Sequence, residues 1–261
     1  MSKILVFCGS KGSGKTSAAN FVAAYFLGRA GVISEYALTH EGTLDVKVKY
    51  QKPDGAMAVS EEFAEFDLRR KDFEFVRYAE QTIYPYVKLY SFADILKSAT
   101  SAIFSLDINK LYGNEKDKNE LTHVKWKDME KLFPIKQPSP NEFMSHREIL
   151  QFFGTNICRA IQPDCWVRAL FNNIQSDNPQ LAIVDDGRFP NEVYSSNDLG
   201  AKTIWLQRRI DNDNHASETA LLSVPEDKFD ATIYNQDMTL AEKNEIIFQT
   251  LKHFGWIEGQ L

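Results

Sequence analysis

The residues best suited to chemistry stand near the start of the chain. Gly9-Ser10-Lys11-Gly12-Ser13-Gly14-Lys15-Thr16 matches G-x-x-x-x-G-K-[ST], the phosphate-cradling loop. Its glycines let the backbone turn sharply and bring N–H groups up to an anion. A helix starting near Lys15 adds the positive end of its dipole. Lys15 is expected to reach the β- and γ-phosphates of a nucleotide, and the Thr16 hydroxyl to ligate Mg²⁺. Gly12, Ser13, Gly14 and Ser17 complete the expected cradle. The plain alternative is a glycine turn with an accidental Lys-Thr, and the flanks argue against it. Ile4 to Phe7 is an apolar run suited to a buried parallel strand, and Ser17 to Leu27 is free of Gly and Pro. Strand, loop and helix is the arrangement the motif needs.

A second constellation is Asp185-Asp186-Gly187-Arg188, directly after the apolar run Leu181 to Val184. A carboxylate at the end of a core strand can hold Mg²⁺ directly or through water. Asp186, further beyond the strand, is the preferred one; a pair of loop acids capping the next helix is the alternative. Arg188 can grip a phosphate bidentately or form a surface ion pair. Arg147, Arg159, Arg168, Arg208 and Arg209 supply further cations, several near helix starts. Phosphoryl transfer spreads negative charge over the moving group, so positioning and cations are what a protein must supply. A monophosphate acceptor is largely ionised at pH 7 and needs no general base. Trp166 and the Phe152-Phe153 pair read as core by residue type. His215, Ser217 and Glu218 lack the partners of a nucleophilic triad.

The elements that must position these groups alternate in the α/β manner. Val87 to Phe92 predicts a strand and Asp94 to Phe104 a helix. Ser145 with Glu148 is a capping box opening the next helix, which Gly154 ends or kinks. Asp164 is positioned to cap a helix carrying Trp166, Val167 and Leu170. Pro190 opens a helix closed by Gly200, and Thr203 to Leu206 and Ala231 to Tyr234 predict strands. Thr239 with Glu242 is a second capping box, with a helix running to about Phe254. The expected fold is a P-loop three-layer sandwich with a mostly parallel central sheet and ligands at the strands' carboxyl ends.

Residues 32 to 86 interrupt that repeat. Leu44, Val46, Val48 and Tyr50 alternate with polar residues, Pro53-Asp54-Gly55 is a turn, and Ala56 to Val59 returns. This predicts a β-hairpin inserted into the nucleotide fold, the insertion spanning about 35–86, and peripheral to catalysis. Glu61 to Arg77 reads as a solvated cover without chemistry. Residues 106–146 read as a substrate-covering segment and 208–223 as a lid, all within one domain of residues 1–261.

Composition excludes other classes. The chain has 261 residues, 43% of them hydrophobic, and a formal net charge of −6. No basic stripe stands out, so a duplex nucleic-acid partner is not expected. Cys8, Cys158 and Cys165 have no metal-type spacing, and an odd number argues against a disulfide framework. No signal-peptide pattern or membrane-length apolar run is visible, which predicts a soluble cytoplasmic protein.

Together these residues resemble the deoxynucleoside monophosphate kinases of tailed bacteriophages, within the P-loop nucleoside monophosphate kinases. The likeness runs through the P-loop, Phe92-Ala93-Asp94 with Lys97, Tyr112-Gly113 with Glu115-Lys116, and Arg147 to Thr155. It continues at Arg159, Asp164-Cys165-Trp166, Asp186 to Glu192, His215 to Glu218 and Phe229 to Asn235. It skips residues 32 to 86. The resemblance implies ATP- and Mg²⁺-dependent phosphorylation of a dNMP to a dNDP, supplying phage DNA precursors in the host cytoplasm, and is compatible with a homodimer. It implies that Lys11, Asp94, Lys97, Arg147, Gln151, Gly154, Thr155 and Trp166 surround the acceptor. It makes Arg208 or Arg209 a lid arginine and sets Asn235 near the adenine of ATP. Family members often carry Asp where Thr16 stands, a departure that touches the metal shell. Two rival readings are a P-loop kinase of another phosphorylated acceptor, such as phosphomevalonate, and a nucleotide-dependent switch. The only Asn-Lys, Asn109-Lys110, lacks the Asp that a guanine-binding switch needs.

Overall fold

In the computed structural model, which describes residues 2–51, 56–130, 142–208 and 220–259, the chain forms two compact units. The first comprises residues 1–91 and 171–261, the second residues 92–170.

The first unit is built on a five-stranded parallel sheet. Its strands are β1 (Lys3–Cys8), β6 (Val87–Tyr90), β9 (Leu181–Gly187), β10 (Lys202–Gln207) and β11 (Ala231–Tyr234), in the order β11-β10-β1-β9-β6. Leu5, Val6 and Phe7 of β1 and Leu181 to Val184 of β9 are fully buried, as continuous apolar runs in a covered parallel sheet must be. β1 lies between β10 and β9, with Cys8 opposite both Trp205 and Gly187. That register brings two strand ends together, the one opening the P-loop and the one carrying Asp185 and Asp186.

Helix α1 (Lys15–Arg29) buries Ala18, Ala19, Val22, Ala23 and Leu27; small residues on one face let it lie close to the sheet. Pro190 opens α9 (Pro190–Asp198), and Gly200 with φ +83° follows its end. Thr239 caps α10 (Leu240–His253): Glu242 N donates to Thr239 Oγ1 at 3.2 Å, and Thr239 N donates to Glu242 Oε2 at 2.8 Å. The α/β architecture and these boundaries follow the sequence reading.

The insertion departs from it. An additional strand, β2 (Ile33–Leu38), pairs antiparallel with β3 (Leu44–Gln51), which pairs with β4 (Met57–Val59) and β5 (Ala64–Glu65). The expected hairpin, β3 with β4, is therefore part of a four-stranded sheet in which β3 pairs with all three of the others; its turn at 52–55 lies outside the described residues. The expected solvated cover is partly core. Leu68 is buried, and α2 (Phe73–Thr82), capped by Asp72, buries Phe75 and Ala79. These side chains join Ile33, Leu44 and Val46 in the cluster that holds Leu5 and Phe7. Phe75, Ala79 and Ile83 recur at i, i+4 and i+8 and are all buried, so a helical stripe stands in the sequence under the charged residues that surround it.

The second unit contains α3 (Phe92–Phe104), α4 (Ile108–Tyr112), α5 (Glu115–Asn119), α6 (Trp126–Glu130) and α7 (His146–Gln151). An antiparallel ribbon joins β7 (Leu121–Lys125) to β8 (Phe143–Ser145). The segment expected to cover substrate thus contributes its own core, with Leu106, Leu111, Trp126 and Met144 packed with Ile149 and Phe152. Ser145 caps α7 as the sequence predicts: Glu148 N donates to Ser145 Oγ, and Ser145 N donates to Glu148 Oε2 at 2.7 Å. Gly154 does not end the helix. The chain continues as a π-helix over Phe152–Arg159 before α8 (Cys165–Asp177). A Cβ on Gly154 would stand 2.8 Å from Leu96, so the glycine serves helix packing. Segments 131–141 and 209–219 lie outside the described residues.

Candidate active site

The P-loop closes on itself through its lysine. Lys15 is buried, and its Nζ donates to Gly9 O at 2.7 Å and Ser10 O at 2.6 Å. Gly14, with φ +88°, is the left-handed residue from which α1 starts. Asn235, just past β11, donates from Nδ2 to Ser13 O at 2.8 Å and ties the loop to the far strand. Ser13 Oγ and Asn235 Oδ1 are buried with no hydrogen-bond partner among the described residues. Orphaned polar atoms at a loop rich in N–H donors fit a polar ligand that completes them.

The two acids near the end of β9, which runs on through them to Gly187, have different neighbours. Asp186 Oδ2 accepts from Ser91 Oγ at 2.6 Å. Asp185 is paired with Arg69 of the insertion, whose Nη1 donates to Asn20 Oδ1 at 2.8 Å. Asn20 Nδ2 in turn donates to Gly42 O at 2.9 Å. A polar chain therefore runs from the β2–β3 turn through α1 and Arg69 to Asp185.

These groups line one cleft of about 630 Å³. On it stand Lys11, Gly12, Gly14, Lys15, Thr16 and Ser17 of the loop and helix, then Asp185, Asp186 and Arg188. Arg208 at the end of β10, Asn235, and Lys243 of α10 complete it with residues 40–43 of the β2–β3 turn. Among the described residues, five cationic side chains face three acidic ones there, although the chain as a whole is acidic. The cleft therefore suits an anion. Among the described residues no cluster of three or more His, Cys, Asp or Glu could hold a metal alone. Thr16 with Asp186 offers a hydroxyl and a carboxylate, and that is what Mg²⁺ takes from a protein when phosphate oxygens and water fill its other positions. Arg188 is fixed through its backbone: its N–H donates to Glu192 Oε2 at 2.8 Å, and Glu192 is buried.

The second unit gathers most of the residues that the resemblance assigns to an acceptor. Tyr112 OH donates to Asp94 Oδ1 at 2.8 Å, and Lys97 Nζ lies 4.1 Å from the Tyr112 ring centroid. Burial, then the Asp94 charge, pushes the Tyr112 hydroxyl well above its ordinary pKa, so it stays a donor. Arg147 pairs with Glu115, while its buried Nε has no partner among the described residues. Gln151 and Thr155 are exposed, and Gly154 is buried. Trp166 is core, as its residue type suggests: it is buried, and its indole N–H donates to Gly154 O at 3.2 Å. Arg168 pairs with Asp164 on the surface. Arg209, His215, Ser217 and Glu218 lie outside the described residues.

Sequence reasoning missed Arg69, Asn20, the 39–43 turn and Lys243. Arg69 sits in a charged run like any solvated one, and Lys243 in an amphipathic helix between Glu242 and Glu245. Arg69 carries no local signal, whereas Lys243 stands four residues before Ile247 and eight before Leu251, a spacing that sets it on the buried face of its helix.

Among the described residues no helix is long and apolar enough to cross a membrane. No curated protein matches the chain. The model of one family, deoxynucleotide monophosphate kinase, matches residues 3–246. With a P-loop at the end of β1, two carboxylates at the end of β9 and a cationic cleft between them, the chain belongs to the deoxynucleotide monophosphate kinases, transferases that move a phosphoryl group from a nucleotide donor.

Proposed function

We propose that the donor is ATP with Mg²⁺, and that the acceptor is a deoxynucleoside 5′-monophosphate bound through Asp94, Lys97, Arg147, Gln151, Gly154 and Thr155. Lys11 is a further cation for the acceptor phosphate. The observation that carries the donor half is the shared cleft, lined by Lys15 and Thr16 at the start of α1 and by Asp186 at the end of β9, the strand beside β1. Lys15 exchanges the carbonyls of Gly9 and Ser10 for donor phosphate oxygens, which as anions bind an ammonium more strongly. Thr16 and Asp186 hold the metal, which neutralises charge developing on the phosphates. Arg188 and one of Arg208 and Arg209 stabilise the transferring group, the latter from a lid over 208–223. The acceptor phosphate is already ionised, so no side chain has to remove a proton. Asn235 holds the P-loop at its turn and lies near the donor base. Trp166 acts by holding Gly154. We read residues 1–261 as one kinase domain that makes dNDPs for phage DNA synthesis in the host cytoplasm, with no duplex nucleic acid or membrane partner, a reading compatible with a homodimer.

The test is a coupled ADP-release assay over the eight common dNMPs and NMPs, with ATP and with or without Mg²⁺. The expected result is turnover of one or more dNMPs that needs both ATP and the metal. No ADP release with any dNMP, or undiminished release without Mg²⁺, overturns the reading.

A further inference from the structure

The cleft contains a cation outside the P-loop motif. Lys243, on the first turns of α10, has 4% of its surface exposed, and its Nζ reaches across to the P-loop. It donates to Ser17 Oγ at 2.6 Å and Gly14 O at 3.2 Å. A Cβ on Gly14 would stand 3.0 Å from the same Nζ. Among the described residues the ammonium meets no carboxylate. An ammonium has three donors, so two neutral acceptors leave one unused. Burying a charge against neutral partners is costly, and a cleft-lining site is where an incoming anion offsets that cost. The two lysines bracket the loop. Lys15 holds its Gly9–Ser10 end, and Lys243 its Gly14–Ser17 end. Since the motif lysine serves the β- and γ-phosphates, the other end of the loop faces the phosphate nearest the nucleoside.

We propose that Lys243 is a second phosphate-binding lysine of the donor site, contacting the donor's nucleoside-proximal phosphate. This rests on the reading of the cleft as the ATP site. Burial, then the nearby Arg208 charge, pushes the Lys243 pKa down to about 8. An anion favours the protonated form, so donor affinity contributed by Lys243 is full below about pH 8 and declines above it. The charged groups on the elements around it are Lys11 and Lys15 on the loop, Arg208 just past β10, and His40 and Glu41 on the β2–β3 turn. Asp185 and Asp186 stand at the end of β9, and Arg188 just past it. All of these are common to wild type and to Lys243→Arg, which differ only in whether residue 243 can lose its proton.

The experiment titrates ADP and, separately, inorganic triphosphate calorimetrically into wild type, Lys243→Met and Lys243→Arg between pH 7 and 9.5. The expected result is at least tenfold weaker binding of both ligands to Lys243→Met at pH 7. Wild type loses affinity above about pH 8 by a limb that Lys243→Arg lacks. Binding of ADP and triphosphate to a folded Lys243→Met within threefold of wild type overturns the proposal. So does an alkaline limb of equal size in Lys243→Arg, a comparison that also decides the matter if Lys243→Met does not fold. If wild type binds triphosphate but not ADP, the adenine-nucleotide reading fails, and the triphosphate arm still reports on Lys243.

Discussion

Gly42→Ala tests whether the insertion is docked on the phosphate loop. Gly42 lies in the β2–β3 turn with φ +82°, and a Cβ there would stand 2.2 Å from Ser17 Cβ. Carbon atoms in contact settle near 3.5–4.0 Å, so the turn must move off α1 by more than about 1 Å. Ser17 Cβ is fixed to the helix backbone and cannot yield by rotation. The Asn20 Nδ2 to Gly42 O bond, 2.9 Å long, then stretches past hydrogen-bonding range, a loss of about 1 kcal/mol. Holding an L-residue in the left-handed region costs about 1–2 kcal/mol more. The expected destabilisation is about 2–3 kcal/mol, or roughly 4–12 °C in Tm for a chain of this size. Gly31→Ala is the control, because Gly31 has φ +74° and nothing within 4 Å of a built Cβ. It carries the conformational cost alone. Scanning calorimetry of both variants, with KM for ATP beside it, separates the contact from the conformation. If Gly42→Ala melts within 1 °C of Gly31→Ala and KM is unchanged, taking "1 °C" as about a quarter to a half of a kcal/mol, the docking argument is wrong.

Lys15→Ala is expected to keep the fold and lose turnover by more than about a hundredfold, since such a transition-state contact is worth several kcal/mol; a circular-dichroism melt and kcat together decide it. Arg69→Ala removes the partner of Asp185, whose side chain is 11% exposed. Because Arg69 is itself nearly a third exposed, the expected loss is only about 1–2 kcal/mol in denaturant unfolding, and a loss below about 0.3 kcal/mol would show the pair to be ornamental. Of Arg208→Ala and Arg209→Ala, at least one should lower kcat about a hundredfold while dNMP affinity measured by calorimetry changes less than about threefold; wild-type kcat in both removes the lid assignment.

Sequence alone determined the features whose causes are local. The P-loop is a run of eight residues whose glycines, lysine and hydroxyl act on one ligand, so its chemistry is written contiguously. The capping boxes at Ser145–Glu148 and Thr239–Glu242 close within four residues, and both form as read. The apolar runs of β1 and β9 announce a covered parallel sheet, and the acids at the end of β9 inherit their place from it. What tertiary structure decided joins residues far apart in the chain. Arg69 reaches Asp185 across 116 positions, and Lys243 reaches Gly14 across 229. No periodicity marks an arginine in a charged run as turned inward, because its burial depends on which surface the fold lays over it; Lys243 does fall on the apolar stripe of its helix with Ile247 and Leu251, but only the fold shows that this face meets the P-loop. The insertion shows the same limit. Alternation in 44–50 predicts a half-buried strand but not its partner, and β2 pairs with it only once α1 has returned the chain to that edge. The left-handed turn at Gly42 then sits on Ser17, where the folded chain leaves no room for a side chain.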